Sequence, residues 1–337
     1  MEKPLRTLIG VLASHDDTRV NNALARVLDR CCKTPYRPTM EKFGFVFTGG
    51  TYRRVIDGKD SEVDKGNIHP VSSETREFLT PRTLIIPPNS QGGVTILSYL
   101  VVGQICSIIW AFFAPLSSHW LTPENLALMR LSDYWKAKRL MNKGTVEEWL
   151  EKEADQDSTI NCQPFPPEIT FRKGTLQNFS GEPPKRGGGG FRLRLPEPPP
   201  RRDVPEEMTL ALIAHNDQKI NMVSFAKDHK TVLARFRKIL TTGTTGEWIQ
   251  SKTGLANIFR YESGPHGGDI QIATEILFGQ CDAVIFFIDP LNPHPHIDDV
   301  RVVLAACMRH DHVRLLTNEP QARDWIQRLI LRHAGTP

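Results

Sequence analysis

Four short polar segments in the second half of the chain have the residue types and spacing to carry chemistry. They span residues 214–219, 241–246, 263–269 and 289–299. Each lies at the predicted end of an apolar β-strand. Because the carboxyl ends of parallel strands meet at one edge of a sheet, we expect the four segments to lie together.

Segment 241–246 reads Thr-Thr-Gly-Thr-Thr-Gly and has the composition of a phosphate site. Its glycines let the backbone approach a ligand closely, and hydroxyl and N–H groups at a helix start bind phosphate. Lys219 adds a cation, Asp269 stands at a predicted helix start, and His296 lies in the last segment. Together these residues predict a phosphate cradle beside a carboxylate base and an imidazole acid.

Each of these residues also has a structural explanation when taken alone. Thr-Gly runs are common in turns, and a carboxylate at the position of Asp269 caps helices. Lys219 could be a solvated helix residue, and His294 and His296 lie among prolines that are typical of an exposed turn. The prediction of a site therefore depends on the combination.

The elements that position these segments alternate between strands and helices. In the second half we predict strands at 209–214, 283–288 and 313–317, a short strand at 237–241, and helices at 218–229, 247–253, 270–277, 298–310 and 321–331. This alternation predicts the α/β class, with a parallel sheet between layers of helices.

The first half repeats the motifs of the second half in the same order. The paired blocks are 12–21 with 212–221, 47–51 with 241–245, 91–93 with 266–268, 102–104 with 278–280, and 114–116 with 289–291. Five blocks in one order predict a tandem duplication.

Length and composition agree with two domains. A chain of 337 residues suggests about two domains, and ten of its 25 prolines fall between Pro164 and Pro205. We predict a first domain at 1–153, a Pro/Gly-rich linker at 154–205 and a second domain at 206–337. The net charge of +4 comes from mixed charges, so no nucleic-acid partner is expected.

The cysteines and the apolar segments indicate a cytoplasmic protein. No Cys-x-x-Cys pair or secretory signal is present, and Cys106, Cys281 and Cys307 lie in apolar runs. Segment 94–116 is uncharged and long enough to span a membrane. The alternative is a helix at 95–102, a turn at 103–104 and a buried strand at 105–113. We prefer it because the repeat aligns this segment with 269–291.

The second half resembles methylglyoxal synthase from about residue 208 to residue 318. The resemblance is carried by AHNDQK, TTGTTG, ESGPHGGDIQ, FFIDPL and PHIDDV in the family's order. It implies a three-layer α/β domain with a five-stranded parallel sheet. It also implies conversion of dihydroxyacetone phosphate to methylglyoxal and phosphate, without cofactor or metal.

The resemblance also implies roles for single residues. Asp269 would be the general base, His296 the acid-base group on the enediolate oxygens, and Asp299 a supporting carboxylate. The phosphate would be held by Lys219, Thr242, Thr244, Thr245, Ser263 and Gly264, with His215 near the reacting oxygens. Asn216 departs from the family's usual Asp. The family's C-terminal arginine, which reaches a neighbouring subunit, cannot be assigned among Arg323, Arg328 and Arg332.

The first half lacks this chemistry, and we expect it to be non-catalytic. Val94 stands where Asp269 stands, Gly50 replaces Thr244 and Arg19 replaces Lys219. His15, Asp16, Thr48 and Thr51 remain in the matching loops, and His119 lies near the counterpart of His296. This half would then supply a partner surface or a bare anion site.

Two other functions remain open at this stage. The fold also resembles the allosteric domain of carbamoyl-phosphate synthetase and the cyclohydrolase half of a purine-biosynthesis enzyme, which predicts a regulatory module that binds phosphorylated metabolites. A metal site could form from His215, His266, His294, His296 and Asp298, although their spacing is not that of a known ligand set. We expect a homo-oligomer with an intrachain pseudo-dimer, and no membrane partner.

Overall fold

The chain folds into two compact units with a boundary at residues 194 and 195. A computed structural model describes residues 5–14, 17–58, 69–114, 121–157, 163–164, 190–197, 199–289, 291–292 and 296–334. The described residues up to Arg194 form the first unit, and those from Leu195 onward form the second.

The first unit is a parallel sheet with interleaved helices. Its strands are β1 (Leu5–Ala13), β2 (Phe43–Thr48), β3 (Thr83–Ile86), β4 (Cys106–Phe112), β5 (Lys138–Leu140), β6 (Gln163–Pro164) and β7 (Phe191–Arg192). Its helices are α1 (Thr18–Cys31), α2 (Arg37–Met40), α3 (Gly49–Val55), α4 (Ser73–Leu79), α5 (Gly93–Val102), α6 (Pro123–Tyr134), α7 (Lys143–Lys152) and α8 (Ala154–Asp157). The strand order is β5-β4-β1-β2-β3-β7, and β6 pairs antiparallel with β1.

The second unit has a fully parallel sheet. Its strands are β8 (Thr209–Ala214), β9 (Lys238–Thr241), β10 (Ile258–Arg260), β11 (Ala283–Phe287) and β12 (Arg314–Leu316). Its helices are α9 (Lys219–Asp228), α10 (Lys230–Leu233), α11 (Gly243–Thr253), α12 (Gly268–Leu277), α13 (Ile297–Met308) and α14 (Glu319–Ala334). The order β10-β9-β8-β11-β12 matches β3-β2-β1-β4-β5 of the first unit. The predicted α/β class is confirmed.

The central strand β8 is buried on both faces, which fixes its place in the sheet. All six of its residues are buried. Leu210 and Leu212 pack in one apolar cluster with Phe225 of α9 and Ile326 of α14. The alternate side chains lie on the opposite face, because successive side chains of a strand point to opposite sides. Helices on both faces exclude water from the sheet and leave its carboxyl edge to the loops.

The apolar segment of the first half is a helix, a turn and a strand. Helix α5 is buried along its whole length, and β4 follows after Gly103 and Gln104, where Gln104 adopts a positive φ of 55°. These elements confirm the prediction for 95–113. Within the described residues, no helix is long and apolar enough to cross a membrane.

Part of the segment predicted as a linker joins the first sheet. Besides α8 and β6, it contributes β7, which pairs with the edge strand β3, and Leu193 N donates to Ile85 O at 2.8 Å. Leu193 is buried. The sequence did not predict β7, because strand pairing at a sheet edge needs only two or three residues. So short an apolar group shows no pattern in a segment rich in proline and glycine. The possible strand at 168–171 lies outside the described residues.

The fold predicts that the second unit depends for its stability on Gly268, the glycine at the start of α12. A Cβ on Gly268 would lie 2.0 Å from Glu262 O, so Gly268→Ala must displace the backbone. We expect a loss of about 1–3 kcal/mol in the free energy of unfolding, measured by chemical denaturation. Gly254→Asn is the control, because a Cβ there meets no atom within 4 Å and Asn tolerates its φ of 68°. Equal stability of Gly268→Ala and wild type would contradict the close packing.

Candidate active site

Four loops of the second unit meet at the carboxyl edge of its sheet. His215 follows β8, Thr242 follows β9, Ser263 follows β10 by three residues, and Asp289 follows β11. Backbone hydrogen bonds join the loops in pairs: His215 N donates to Phe287 O at 3.1 Å, and Gly243 N donates to Glu262 O at 2.9 Å. The parallel sheet therefore brings the predicted segments to one edge.

The threonine loop and Lys219 form one hydrogen-bonded group. Thr242 and Thr245 are buried, and Thr242 Oγ1 donates to Thr245 Oγ1 at 3.2 Å. Lys219 Nζ donates to Thr244 Oγ1 at 3.0 Å and to Asn216 Oδ1 at 2.8 Å. The loop after β8 and the loop after β9 thus place one ammonium group and three hydroxyls together.

Both of these hydrogen-bond partners of Lys219 are neutral. Partial burial lowers the pKa of Lys219 below the ordinary lysine value. The ring of Trp248 lies 5.9 Å from Nζ, a cation–π distance. Sequence reasoning missed Trp248, because a single aromatic residue in a helical pattern usually packs in a core. A partly desolvated cation with neutral partners favours the approach of an anion.

Gly264 brings the next loop against the two groups with acid-base chemistry. A Cβ on Gly264 would lie 3.0 Å from Asp269 Oδ2 and 3.1 Å from His296 Nε2. The neighbouring loop is equally close, since a Cβ on Gly243 would lie 3.2 Å from Ser263 N. The threonine loop and the pair Asp269 and His296 therefore border the same stretch of backbone.

Asp269 and His296 come from different helices and face each other. Asp269 is in the first turn of α12 and is 2% exposed, and His296 directly precedes α13. His296 Nε2 lies 3.7 Å from Asp269 Oδ2, which is longer than a hydrogen bond. Two such groups at this separation can act on neighbouring atoms of one bound molecule.

His215 is held in one orientation by the loop after β11. The backbone N–H of Asp289 donates to His215 Nδ1 at 2.9 Å, so a neutral ring carries its proton on Nε2. The ring packs edge-on against Phe286 with centroids 5.1 Å apart. The carboxylate of Asp289 accepts from Leu291 N at 2.9 Å and from Asn292 Nδ2 at 2.5 Å. Sequence reasoning gave Asp289 no role, whereas the structure uses it to close this loop.

Asp299 is fully buried in the first turn of α13. Its backbone N–H donates to His296 O at 3.0 Å, so it fixes the backbone at the imidazole. Within the residues that the structure describes, no three His, Cys, Asp or Glu side chains form a group that could hold a metal ion. His294, one of the candidate ligands, lies outside that part of the chain.

Comparisons with known proteins match the second unit. A family model described as MGS-like domain matches residues 221–312. Methylglyoxal synthase of Clostridium beijerinckii is 46% identical over 111 residues, which cover 33% of this chain and 91% of the relative. Methylglyoxal synthase of Thermus thermophilus is 46% identical over 131 residues, 38% of this chain and 97% of the relative. A crystal structure of methylglyoxal synthase from Elizabethkingia anophelis is 33% identical, with a TM-score of 0.34, and covers 36% of this chain and 79% of that one.

The matching loops of the first unit keep the hydroxyls and lose the carboxylate. Thr48 Oγ1 and Thr51 Oγ1 lie 2.9 Å apart, and Ala13 N donates to Thr51 Oγ1 at 3.0 Å. Val94 is buried at the first turn of α5, where Asp269 stands in α12. His15, Asp16 and His119 lie outside the described residues.

Among the described residues of the first unit, the buried cation is Arg54, whereas Arg19, which replaces Lys219 in the sequence, is exposed. The Arg19 side chain is 89% exposed and pairs with Asp17. Arg54, on α3, is buried, and it donates to Asn21 Oδ1 and to Ala13 O, both at 3.1 Å. The helix after the threonine loop therefore supplies a buried cation beside these loops.

Arg54 should be important for the stability of the first unit. We expect Arg54→Leu to reduce the free energy of unfolding by about 2–4 kcal/mol, because it leaves Asn21 Oδ1 and Ala13 O buried without this donor. Arg53→Leu is the matched control, since Arg53 is the exposed neighbour on the same helix. Thermal and chemical unfolding of both variants would measure the difference. Identical losses for both would show that the buried contacts of Arg54 do not stabilise the unit.

Proposed function

Because the chain belongs to the methylglyoxal synthase family, as its match to nearly the whole length of those relatives shows, we propose that its second unit is a carbon–oxygen lyase acting on dihydroxyacetone phosphate. The products would be methylglyoxal and inorganic phosphate. The observation that carries this proposal is the buried Asp269 carboxylate 3.7 Å from the His296 imidazole. Beside it lies a loop suited to phosphate.

The first step would be removal of a proton from the hydroxyl-bearing carbon of the substrate by Asp269. Electrons of the broken C–H bond move into the adjacent carbonyl and give an enediolate. His296, at 13% side-chain exposure, would donate to the developing oxyanion and move protons between the enediolate oxygens. Burial strengthens these interactions because water is largely excluded.

The second step would be loss of phosphate from the neighbouring carbon. The electron pair of the enediolate forms a C=C bond to that carbon, and the C–O bond to phosphate breaks. The enol that is left takes up a proton on the same carbon and becomes methylglyoxal. The phosphate would be held by Lys219, Thr242, Thr244, Thr245, Ser263 and Gly264.

Positioning of the phosphate decides which reaction follows the enediolate. Elimination requires the breaking C–O bond to stand out of the enediolate plane, so that it overlaps with the π electrons. Lys219 and Thr244 come from different loops, and Lys219 Nζ donates to Thr244 Oγ1 at 3.0 Å. The two side chains would therefore bind the phosphate from two sides. His215, oriented by Asp289 N, would donate from Nε2 near the reacting oxygens.

Asn216 and Asp299 modify this site in different ways. The family's usual Asp would place a negative charge next to Lys219. Asn216 instead accepts from Lys219 Nζ through a neutral oxygen at 2.8 Å, so the positive charge of Lys219 would remain available to the phosphate. Asp299 would support His296 from the first turn of α13. The proton shuttle would thus depend on one supporting carboxylate.

The first unit would be a non-catalytic copy produced by tandem duplication. The identical order of five strands in both sheets and the shared threonine pairs support this proposal. Val94 at the position of Asp269 leaves no base there. The two copies would then be 1–153 and 206–337, and of the residues from 154 to 205 that lie between them, α8, β6 and β7 are additions to the first unit.

Removing the proposed base should abolish turnover. We expect Asp269→Asn to lower kcat by about 10²–10⁴-fold, because the amide cannot accept the proton. Phosphate and methylglyoxal release from dihydroxyacetone phosphate would be measured together. Asp298→Asn is the control, a partly exposed carboxylate paired with Arg301 on α13. If wild type and Asp269→Asn both bound phosphate and neither released phosphate or methylglyoxal from the substrate, the lyase proposal would be wrong. The second unit would then be a regulatory binding module.

Removing the proposed phosphate cation should act on binding. We expect Lys219→Met to raise KM by about 10–100-fold, the value of one charged hydrogen bond or two. Lys227→Met, an exposed lysine on the same helix, is the control.

The same cation should give the wild type a pH dependence. Burial lowers the pKa of Lys219, so its positive charge is lost at a lower pH than that of an ordinary lysine. KM should therefore rise with pH before exposed lysines titrate, and Lys219→Met should lack this rise. A KM that climbs equally in the variant would contradict the role of Lys219.

A further inference from the structure

A second polar cavity lies against the edge strand of the second unit. It has a volume of about 270 Å³ and is lined by residues of β12 and α14. This size is close to the lower end for small-molecule pockets, roughly 300 Å³. None of the strand-end residues assigned above lines it.

Guanidinium groups dominate the charge around this cavity. Arg314, Arg328 and Arg332 line it, and Arg201 lies near enough to act on Arg314 electrostatically. The carboxylates that contact these groups are Asp324, which pairs with Arg328, and Asp203, which lies 3.8 Å from Arg314 Nη2 and 3.5 Å from Arg332 Nη1. Among the described residues, four cations thus lie near two carboxylates, so positive charge is in excess around the cavity.

Arg314 is the least exposed of the three arginines that line the cavity. Its side chain is 21% exposed, and its guanidinium lies 5.3 Å from the ring centroid of Trp325. Burial, followed by repulsion from Arg201, lowers the pKa of Arg314. A bound anion would offset both effects, because its negative charge stabilises a guanidinium that has lost part of its hydration.

A buried indole and a backbone N–H group also belong to the lining of this cavity. Trp325 is 6% exposed, and within the part of the chain that the structure describes its Nε1 has no hydrogen-bond acceptor. An indole N–H can only donate, so a buried one calls for an acceptor. Leu315 also lines the cavity, and its N–H points away from β11 because Arg314 N donates to Asp282 O. The site therefore offers the Leu315 N–H as a neutral donor beside the cations.

We propose that this cavity binds a small anion that carries two or more negative charges on oxygen atoms, the class of phosphate esters and polycarboxylates. The planar forks of Arg314 and Arg332 suit such oxygens, which they can hold through paired N–H groups. The Leu315 N–H supplies a further donor. The site is separate from the strand-end site, so its occupation does not depend on the proposed lyase function.

The test is calorimetric titration of the full chain with pyrophosphate and, separately, with citrate at constant ionic strength. The Lys219→Met background weakens phosphate binding at the strand-end site by the expected factor of about 10–100. In this background we expect at least one of the two anions to bind, and Arg332→Gln to weaken that binding at least tenfold. Arg332 is 61% exposed, so its replacement does not threaten folding. Arg314→Gln should weaken binding further, and circular dichroism would check its fold.

Arg301→Gln is the matched control, because Arg301 is a similarly exposed arginine on α13 outside the cavity. Binding of pyrophosphate alone would identify a phosphate site, and binding of both anions would show that carboxylate oxygens suffice. No binding of either anion in the Lys219→Met background would overturn the proposal. The proposal would also be overturned if the Arg332→Gln variant bound the anion as strongly as the Arg301→Gln control.

Discussion

The burial of one carboxylate, Asp269, is the constraint on which the second unit's site depends. A carboxylate that is 2% exposed loses its hydration, and the protein must replace it with oriented dipoles and charges. The first turn of α12 supplies N–H groups and the positive end of the helix dipole. His296 approaches from α13 at 3.7 Å. The site thus exists only where two helix starts and a loop are brought together by the parallel sheet.

Glycines make this convergence possible. Gly267 directly precedes α12 and adopts a φ of 104°, a left-handed conformation that disfavours any side chain. Gly268 packs against Glu262 O, and Gly264 passes directly over the carboxylate and the imidazole. The backbone therefore occupies the space in which side chains would separate the threonine loop from Asp269 and His296.

The first unit keeps this scaffold without the charge. Gly92 has a φ of 87°. A Cβ on Gly93 would lie 2.0 Å from Pro87 O, just as a Cβ on Gly268 would lie 2.0 Å from Glu262 O. Val94 then takes the buried position. The scaffold and the chemistry are thus separable, since a helix start that can bury a carboxylate can equally bury an apolar side chain.

Apolar periodicity predicted most of the fold, since β8, β11, β4 and α5 are continuous buried runs. It missed β10, whose residues are only partly buried and too few to show a pattern. The strand-end segments were legible from polar residues at predicted strand ends. Arg54 was not, because alignment with Lys219 points to position 19, whereas the buried cation comes from a different helix.

Proton removal by Asp269 is the central claim, and the fate of the substrate's hydrogens in D₂O tests it most directly. NMR would follow dihydroxyacetone phosphate mixed with the full chain. The account predicts that one hydrogen leaves the hydroxyl-bearing carbon, that phosphate appears at the same rate, and that the methyl group of methylglyoxal carries deuterium. Substrate that keeps both hydrogens and its phosphate, beside a folded chain, would contradict it.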